Sequence, residues 1–427
     1  MKAALHVPRR PGLYVSKEQR FPLFCLLWIT YFTANLGRLS YVTVMIEIIN
    51  REGFSAAAAG LVGTGFFVCY GAGQIVSGYI GDRLPPLEVV FMGLFCTALA
   101  NLAMGFSQTG AQMLVIWCLN GLVQSVLWPP ILRIIVEYFP NPAREKVCVH
   151  ISTTYPLATL FSYGACAGIL LLLPWQGVFF ICAAFLFGVS FLWRFAFGKI
   201  QRFRAAPAGK GESCREPEQP RETGAGKGPG GKNLPWAVLA LLCGALVVQG
   251  ALRDGLMTWI PVYTARAFSL QTSLAILSAG VLPLINLLGI YACQFLFRRI
   301  RDEVRTSFCL FCVSLLAVLA LKCFGALHLS VSLSAFALIT ACMMGVNLML
   351  VSFVPAHFSR LGMVSFLSGL ANSMVYIGSS LSTYTIGLLA DSFGWDTLFL
   401  ILGALALASS LLCLLAAPGW SRFVRKI

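Results

Sequence analysis

Long apolar runs recur along the chain, separated by short polar stretches. They fall at roughly 21–49, 57–80, 87–106, 111–137, 147–173 and 175–198. A second set follows at 235–262, 270–297, 304–325, 329–354, 363–390 and 395–417. A helix rises about 1.5 Å per residue, so about 20 apolar residues cross a hydrocarbon core of about 30 Å. Inside hydrocarbon every backbone N–H and C=O must be paired within the protein, and a helix does this by itself. The pattern predicts an all-α polytopic membrane protein of twelve transmembrane helices in two six-helix halves, 21–198 and 235–417. Between them, 199–234 is rich in Gly, Pro, Glu, Lys and Arg. With almost no large apolar residues it cannot bury enough surface to fold alone, so a linker is expected there. Tails are expected at 1–20 and 418–427.

Composition agrees with a membrane chain. Hydrophobic residues make up 58% and charged residues 11%, against about 25% charged in soluble domains. The net charge of +15 is therefore read for topology and not as a nucleic-acid footprint. Of 31 lysines and arginines, 26 fall on one side of the predicted helices, 3 on the other and 2 within them. By the positive-inside rule both termini and the linker are cytoplasmic. No organelle signal is evident, so a multi-pass protein of the plasma (inner) membrane is the expectation. The 15 cysteines lie almost entirely in apolar segments at irregular spacing, as small hydrophobes do. They imply no disulfide framework and no metal site, even at Cys309 and Cys312. No P-loop or converging set of carboxylate, histidine and thiol groups appears. No cofactor and no enzyme activity are expected, and nothing requires more than a monomer.

The two cations inside the helices are Arg38, in the first segment, and Arg253, in the seventh. A charge in hydrocarbon costs a few kcal/mol or more, so such residues face a cavity or a partner. The two stand 215 residues apart. A second echo, Trp175-Gln-Gly-Val-Phe179 against Trp395-Asp-Thr-Leu-Phe399, stands 220 apart. Each arginine thus lies in the first helix of its half, at similar depth. Repeated halves with a site at their interface near the midplane are a common plan of secondary transporters. Guanidinium keeps its charge and makes planar two-point bonds to phosphate or carboxylate, so the pair predicts an anion site. Asp254, beside Arg253, is a candidate coupling residue or a partner that neutralises an arginine. Neighbours on an α-helix point about 100° apart and do not pair automatically.

Gly78-Tyr-Ile-Gly81-Asp82-Arg83 closes the second segment and fits G-x-x-x-D-R. This motif resembles the loop signature of the major facilitator superfamily. Gly78 allows close helix approach, and Asp82 and Arg83 are expected to help seal the cytoplasmic side. A narrower resemblance is to the organophosphate:phosphate antiporter family. It rests on Tyr31-Phe-Thr-Ala-Asn-Leu-Gly-Arg38-Leu-Ser-Tyr41, Gly121-Leu-Val-Gln124-Ser-Val-Leu-Trp128-Pro129-Pro130, Leu252-Arg253 with Trp259-Ile-Pro261, and Tyr376-Ile-Gly378 leading to Phe393-Gly-Trp-Asp396. The resemblance implies a phosphate ester exchanged for inorganic phosphate, or coupled to a proton, with Arg38 and Arg253 clamping the phosphate. Tyr70, Gln74, Trp128, Thr154 and Tyr376 are the expected supporting residues. Two departures stand out. The family's well-studied members carry a lysine four residues after the second-helix tyrosine, where this chain has Gln74. They carry a histidine motif in the fifth helix, where this chain reads Thr153-Thr154-Tyr155-Pro156. Both make the cavity less basic. A carboxylate or sugar-acid symporter, and a sugar-phosphate sensor that does not transport, remain alternative expectations.

Overall fold

The computed structural model describes residues 15–52, 56–205, 235–269, 282–325, 327–359 and 361–425. Residues 1–14, 206–234, 270–281 and 426–427, which include most of the expected linker and the start of the eighth segment, lie outside the described residues. The rest is helical. The first half holds α1 (Lys17–Glu52), α2 (Ala56–Arg83), α3 (Pro86–Gly105), α4 (Gly110–Gln124), α5 (Trp128–Tyr138), α6 (Asn141–Ser152), α7 (Thr154–Leu170) and α8 (Trp175–Ala205). The second half holds α9 (Trp236–Gly250), α10 (Leu256–Phe268), α11 (Leu282–Ile300), α12 (Glu303–Phe324), α13 (Leu329–Asn347), the short α14 (Val354–Ala356) and α15 (Val364–Val424). Pairs such as α4–α5 and α6–α7 are single rods with a break. Eight helices among the described residues are long and apolar enough to cross a membrane.

Several boundaries differ from the hydropathy reading: α1 begins at Lys17, inside the tail expected at 1–20, and α15 runs to Val424, through most of the tail expected at 418–427. α8 continues to Ala205 and α10 to Phe268. Hydropathy ends at the membrane surface, whereas good helix formers such as Lys, Gln and Arg carry the backbone onward into water. The expected eleventh and twelfth segments run together as α15, and the chain turns between them at Gly394, with φ 80° and ψ 168°. Only glycine takes that conformation readily.

Polarity is arranged inside out. Large apolar side chains stand exposed on the outer faces, among them Leu172 at 87%, Leu415 at 68% and Leu288 at 67%, as lipid contact requires. Polar residues lie within: Thr33, Asn35, Gln74, Asn101, Asn120, Gln124, Gln249 and both arginines are buried. The span Leu329–Ser359 is the most enclosed, with 89% of its apolar window buried.

The breaks in the rods follow from proline. Pro129 has no N–H for the Ser125 carbonyl one turn earlier. That carbonyl accepts instead from Gln74 Nε2 at 2.9 Å and Ser77 Oγ at 2.7 Å, which ties α2 to the α4–α5 junction. Likewise Pro355 leaves the Val351 carbonyl free, and Ser368 Oγ of α15 donates to it at 3.2 Å. The chain there widens into a π-helical turn, Leu348–Phe353. A second π-helical turn, Ala251–Gly255, joins α9 to α10 and carries Arg253 and Asp254. Such turns are rare and gather at functional sites.

The halves meet mainly along α2 and α15. Phe67, Gly71, Gln74 and Gly78 share one face of α2. A Cβ on Gly78 would stand 2.8 Å from the Ser365 carbonyl oxygen, and one on Gly369 would stand 2.4 Å from that of Gln74. Only glycine permits this approach. At the end of α2, the Asp82 carboxylate accepts from the backbone N–H groups of Ser365 (3.1 Å) and Phe366 (2.9 Å). These are donors of the first turn of α15, which has no helical partners for them and a positive dipole end. His150 of α6 meets the Tyr291 hydroxyl of α11 at 3.3 Å. Further along the same face of α2 in the other direction, a Cβ on Gly60 or Gly63 would meet no atom within 4 Å. Among the described residues the two halves are in close contact at the Asp82 end.

Candidate functional site

Arg38 sits mid-way along α1, and its backbone is fixed from two sides. The Gly37 carbonyl accepts from Asn101 Nδ2 at 3.0 Å and Asn120 Nδ2 at 3.4 Å. Ser40 Oγ donates to Asn101 Oδ1 at 2.9 Å. α1 is thereby held to α3 and α4 at the turn that carries the arginine. The Arg38 guanidinium is buried among the rings of Phe66, Phe67, Tyr70, Tyr155 and Tyr376, its carbon 5.2–5.9 Å from each centroid. Ring faces attract a cation. Arg38 Nη1 also donates to the Tyr376 hydroxyl, a bond between the two halves. Among the described residues no carboxylate pairs with Arg38.

Arg253 is held differently. Its Nε donates to Asp254 Oδ1 at 2.8 Å and its Nη2 to Oδ2 at 2.9 Å, a two-point ion pair between sequence neighbours. The π-helical turn makes this possible, since more residues per turn bring successive side chains closer in angle. Arg253 Nη1 donates to Asn347 Oδ1 at 3.0 Å, and Ser379 Oγ donates to Asp254 Oδ2 at 2.7 Å.

Both arginines line one cavity between the halves, which offers about 50 Å³ to water centres. That is room for a few waters, so a sugar-sized ligand requires the walls to part. Tyr31, Asn35 and Trp128 complete its wall on one half, Asn347, Ser352 and Asn372 on the other. The Trp128 ring lies 4.9 Å from that of Tyr31, and its Nε1–H has no acceptor among the described residues.

Of the residues expected to bind, Arg38, Arg253, Trp128 and Tyr376 line this cavity. Tyr70 stands behind them, edge-on to Tyr376 at 4.6 Å. Gln74 is not among its lining residues: its Nε2 donates to the carbonyl that Pro129 frees. Thr154 does not reach it either. Its hydroxyl donates to Ile151 O at 2.7 Å and accepts from Asn35 Nδ2 at 3.4 Å, while the next residue, Tyr155, faces the site. Gly78 and Asp82 stand at the closed end between the halves. Arg83 makes no contact across them among the described residues. It is exposed and folds over the Tyr79 ring of its own helix at 3.2 Å. The basic residue that braces this corner is Arg133, whose Nη1 donates to the carbonyls of Gly81 (2.7 Å) and Leu84 (3.2 Å).

Tyr31, Asn35, Tyr155, Asn347, Asn372 and Ser379 were not singled out from sequence. Tyr31, Asn35 and Arg38 are spaced by four and three residues, so helical periodicity alone places them on one face. Asn347 and Asn372 are lone amides in apolar runs, a weaker signal of the same kind.

Comparison with known proteins places this geometry in context. The model of the Major Facilitator Superfamily matches residues 27–383. A "Probable hexose phosphate transport protein" of Chlamydia pneumoniae is 22% identical over 95% of this chain and 92% of its own length. The "Membrane sensor protein UhpC" of Escherichia coli K12 is 22% identical over 91% of this chain and 90% of its own. The crystal structure of the human organic anion transporter MFSD10 (TETRAN) superposes with a TM-score of 0.67 at 15% identity. It covers 93% of this chain and 100% of its own, which shows a shared fold.

Proposed function

The chain belongs to the Major Facilitator Superfamily, and from that premise we propose that it moves a small organic anion across the membrane by alternating access. The substrate class we infer is a phosphate ester, exchanged for inorganic phosphate. The family is one of transporters, not enzymes. The observation that carries the proposal is the convergence of Arg38 and Arg253, one from each half, on a single enclosed cavity. The phosphate-ester class is supported by the likeness to a hexose phosphate transport protein over nearly the whole chain.

The geometry also supplies a way to couple binding to motion. Tyr376 of α15 accepts from Arg38 of α1, so a hydroxyl of the other half competes with an anion for this arginine. An arriving anion takes that donor, releases the bond between the halves and is then held by arginines of both. A ligand shifts such an equilibrium only by its differential affinity for the two states, and contacts to both halves provide that difference. With the basic end facing the cytoplasm, the closed Asp82 end is the inner gate. Both termini are cytoplasmic in this reading, the site is the inner (plasma) membrane, and a monomer suffices.

The test is phosphate self-exchange in proteoliposomes loaded with unlabelled phosphate, with labelled phosphate outside. Saturable exchange that a hexose phosphate competes away is expected. Carboxylate uptake without phosphate exchange would replace antiport by the symporter reading. Ligand binding without any flux would place the chain with sensors, a reading favoured by its likeness to a membrane sensor protein.

A further inference from the structure

We propose that Asp254 sets the charge of the anion this cavity accepts: one net negative charge, with dianions disfavoured. The inference depends on the preceding reading only in taking the cavity as an anion site. It does not depend on phosphate being the anion.

The cavity holds two cations, but they are not equivalent. Arg253 is neutralised in place by Asp254 through two short bonds, at 2.8 and 2.9 Å. The pair is built on both sides: Asn347 holds the arginine at 3.0 Å and Ser379 holds the carboxylate at 2.7 Å. Three of the five guanidinium N–H donors are thus engaged, which leaves Arg253 able to orient a ligand but with its charge already balanced. Arg38 has only rings and the Tyr376 hydroxyl around it. It is the one cation of the cavity without a carboxylate among the described residues. A buried charge without a partner is costly, and a ligand with one negative charge removes that cost. A second negative charge on the ligand would face the Asp254 carboxylate with no cation left to balance it, in surroundings of low dielectric where like charges repel strongly. The helix position where a lysine would add a third cation holds the neutral Gln74, whose Nε2 donates to the Ser125 carbonyl.

The consequence is chemical. A phosphate monoester loses its second proton near about pH 6, so its monoanion is the form carried, and uptake rises as the pH falls through that value. Sulfate monoesters, phosphodiesters and monocarboxylates are monoanions throughout and need no such proton. The charged and titratable groups around Asp254 are Arg253 on its own turn, Arg38 on α1 and Tyr155 on α7, and Tyr376 on α15 stands near Arg253.

The experiment is a binding series on the purified full-length protein by isothermal titration calorimetry. It uses two matched pairs: hexose 6-sulfate against hexose 6-phosphate, and gluconate against glucarate. At about pH 7.5, above the second phosphate ionisation near about 6, the monoanion of each pair is expected to bind at least roughly tenfold tighter (about 1.4 kcal/mol). At about pH 5.5 the phosphate and sulfate esters should converge, because both are then largely monoanions. Asp254→Asn should reverse the order at the higher pH, while Asp254→Glu should keep it. Tighter binding of the dianions by the wild-type protein overturns the inference. So does an unchanged order in a folded Asp254→Asn, or binding of none of the four probes. If Asp254→Asn does not fold, the wild-type ranking decides alone. Gluconate preferred over glucarate with neither ester bound would uphold the charge rule and defeat the phosphate-ester reading, so the two fail separately.

Discussion

At the scale of single residues, the site shows how one amino-acid type takes different duties from its surroundings. Arg38 and Arg253 each belong to the first rod of their half, yet one is ringed by aromatics and the other is chelated by its own neighbour. Gln74 makes the sharpest residue-level prediction. Its amide satisfies a carbonyl that proline leaves bare, so Gln74→Met removes one of the two donors to Ser125 O. We expect a loss of about 1 kcal/mol of stability, read as a lower melting temperature in detergent, with the substrate KM unchanged. A raised KM at unchanged melting temperature would return Gln74 to the binding site. Arg38→Lys is the opposite case. The charge stays, but the planar fork and the ring stacking go, and exchange should fall at least roughly tenfold while the protein still reaches the membrane.

At the scale of elements, the helices are most informative where they are irregular. The breaks at Ser125–Leu127 and the two π-helical turns all abut the cavity, and two of the three precede proline by a turn or less. Proline there frees carbonyls, and side chains of neighbouring helices take them up. This ties α2 and α15 to their partners at the depth of the site. The close crossing of those two helices is the inner gate in our reading. Gly369→Ala would bring a Cβ to 2.4 Å from the Gln74 carbonyl and 3.0 Å from Gly78 Cα. Backbone cannot yield as a flexible side chain does, so the halves must separate at this end. The expected result is loss of the closed gate. It would be seen as faster modification, from the Asp82 side, of a single cysteine placed in the cavity wall.

At the scale of the whole molecule, closure in our reading is a balance between two packed halves, which a ligand can shift. Asp82 contributes by accepting two backbone N–H groups at the start of α15. Asp82→Asn keeps the size and loses the charge facing the helix dipole, worth about 1 kcal/mol. That corresponds to a roughly fivefold shift in the ratio of the two states, towards opening at this end. Distances between spin labels on the ends of α2 and α15 would show a longer population growing at the expense of the short one. An unchanged distance distribution would mean that the glycine crossing alone holds the gate.

The amino-acid sequence by itself determined the membrane class, the helical rods and the pairing of Arg38 with Arg253. The physical reason is that hydrocarbon leaves the backbone almost no alternative to helices and makes every buried charge conspicuous. It also marked Trp128 and Tyr376 through the company they keep in the chain. Tertiary structure alone decided which of the polar residues reach the cavity. Gln74 and Thr154 turn to backbone and helix partners, while Tyr155, Asn347 and Asn372 turn inward. A side chain's destination depends on which unpaired groups lie nearest in space, and those groups belong to helices distant in sequence. The Arg253–Asp254 pair is the plainest instance. Regular α-helical geometry sets the two about 100° apart, and only the π-helical turn, formed in the packed bundle, folds one back upon the other.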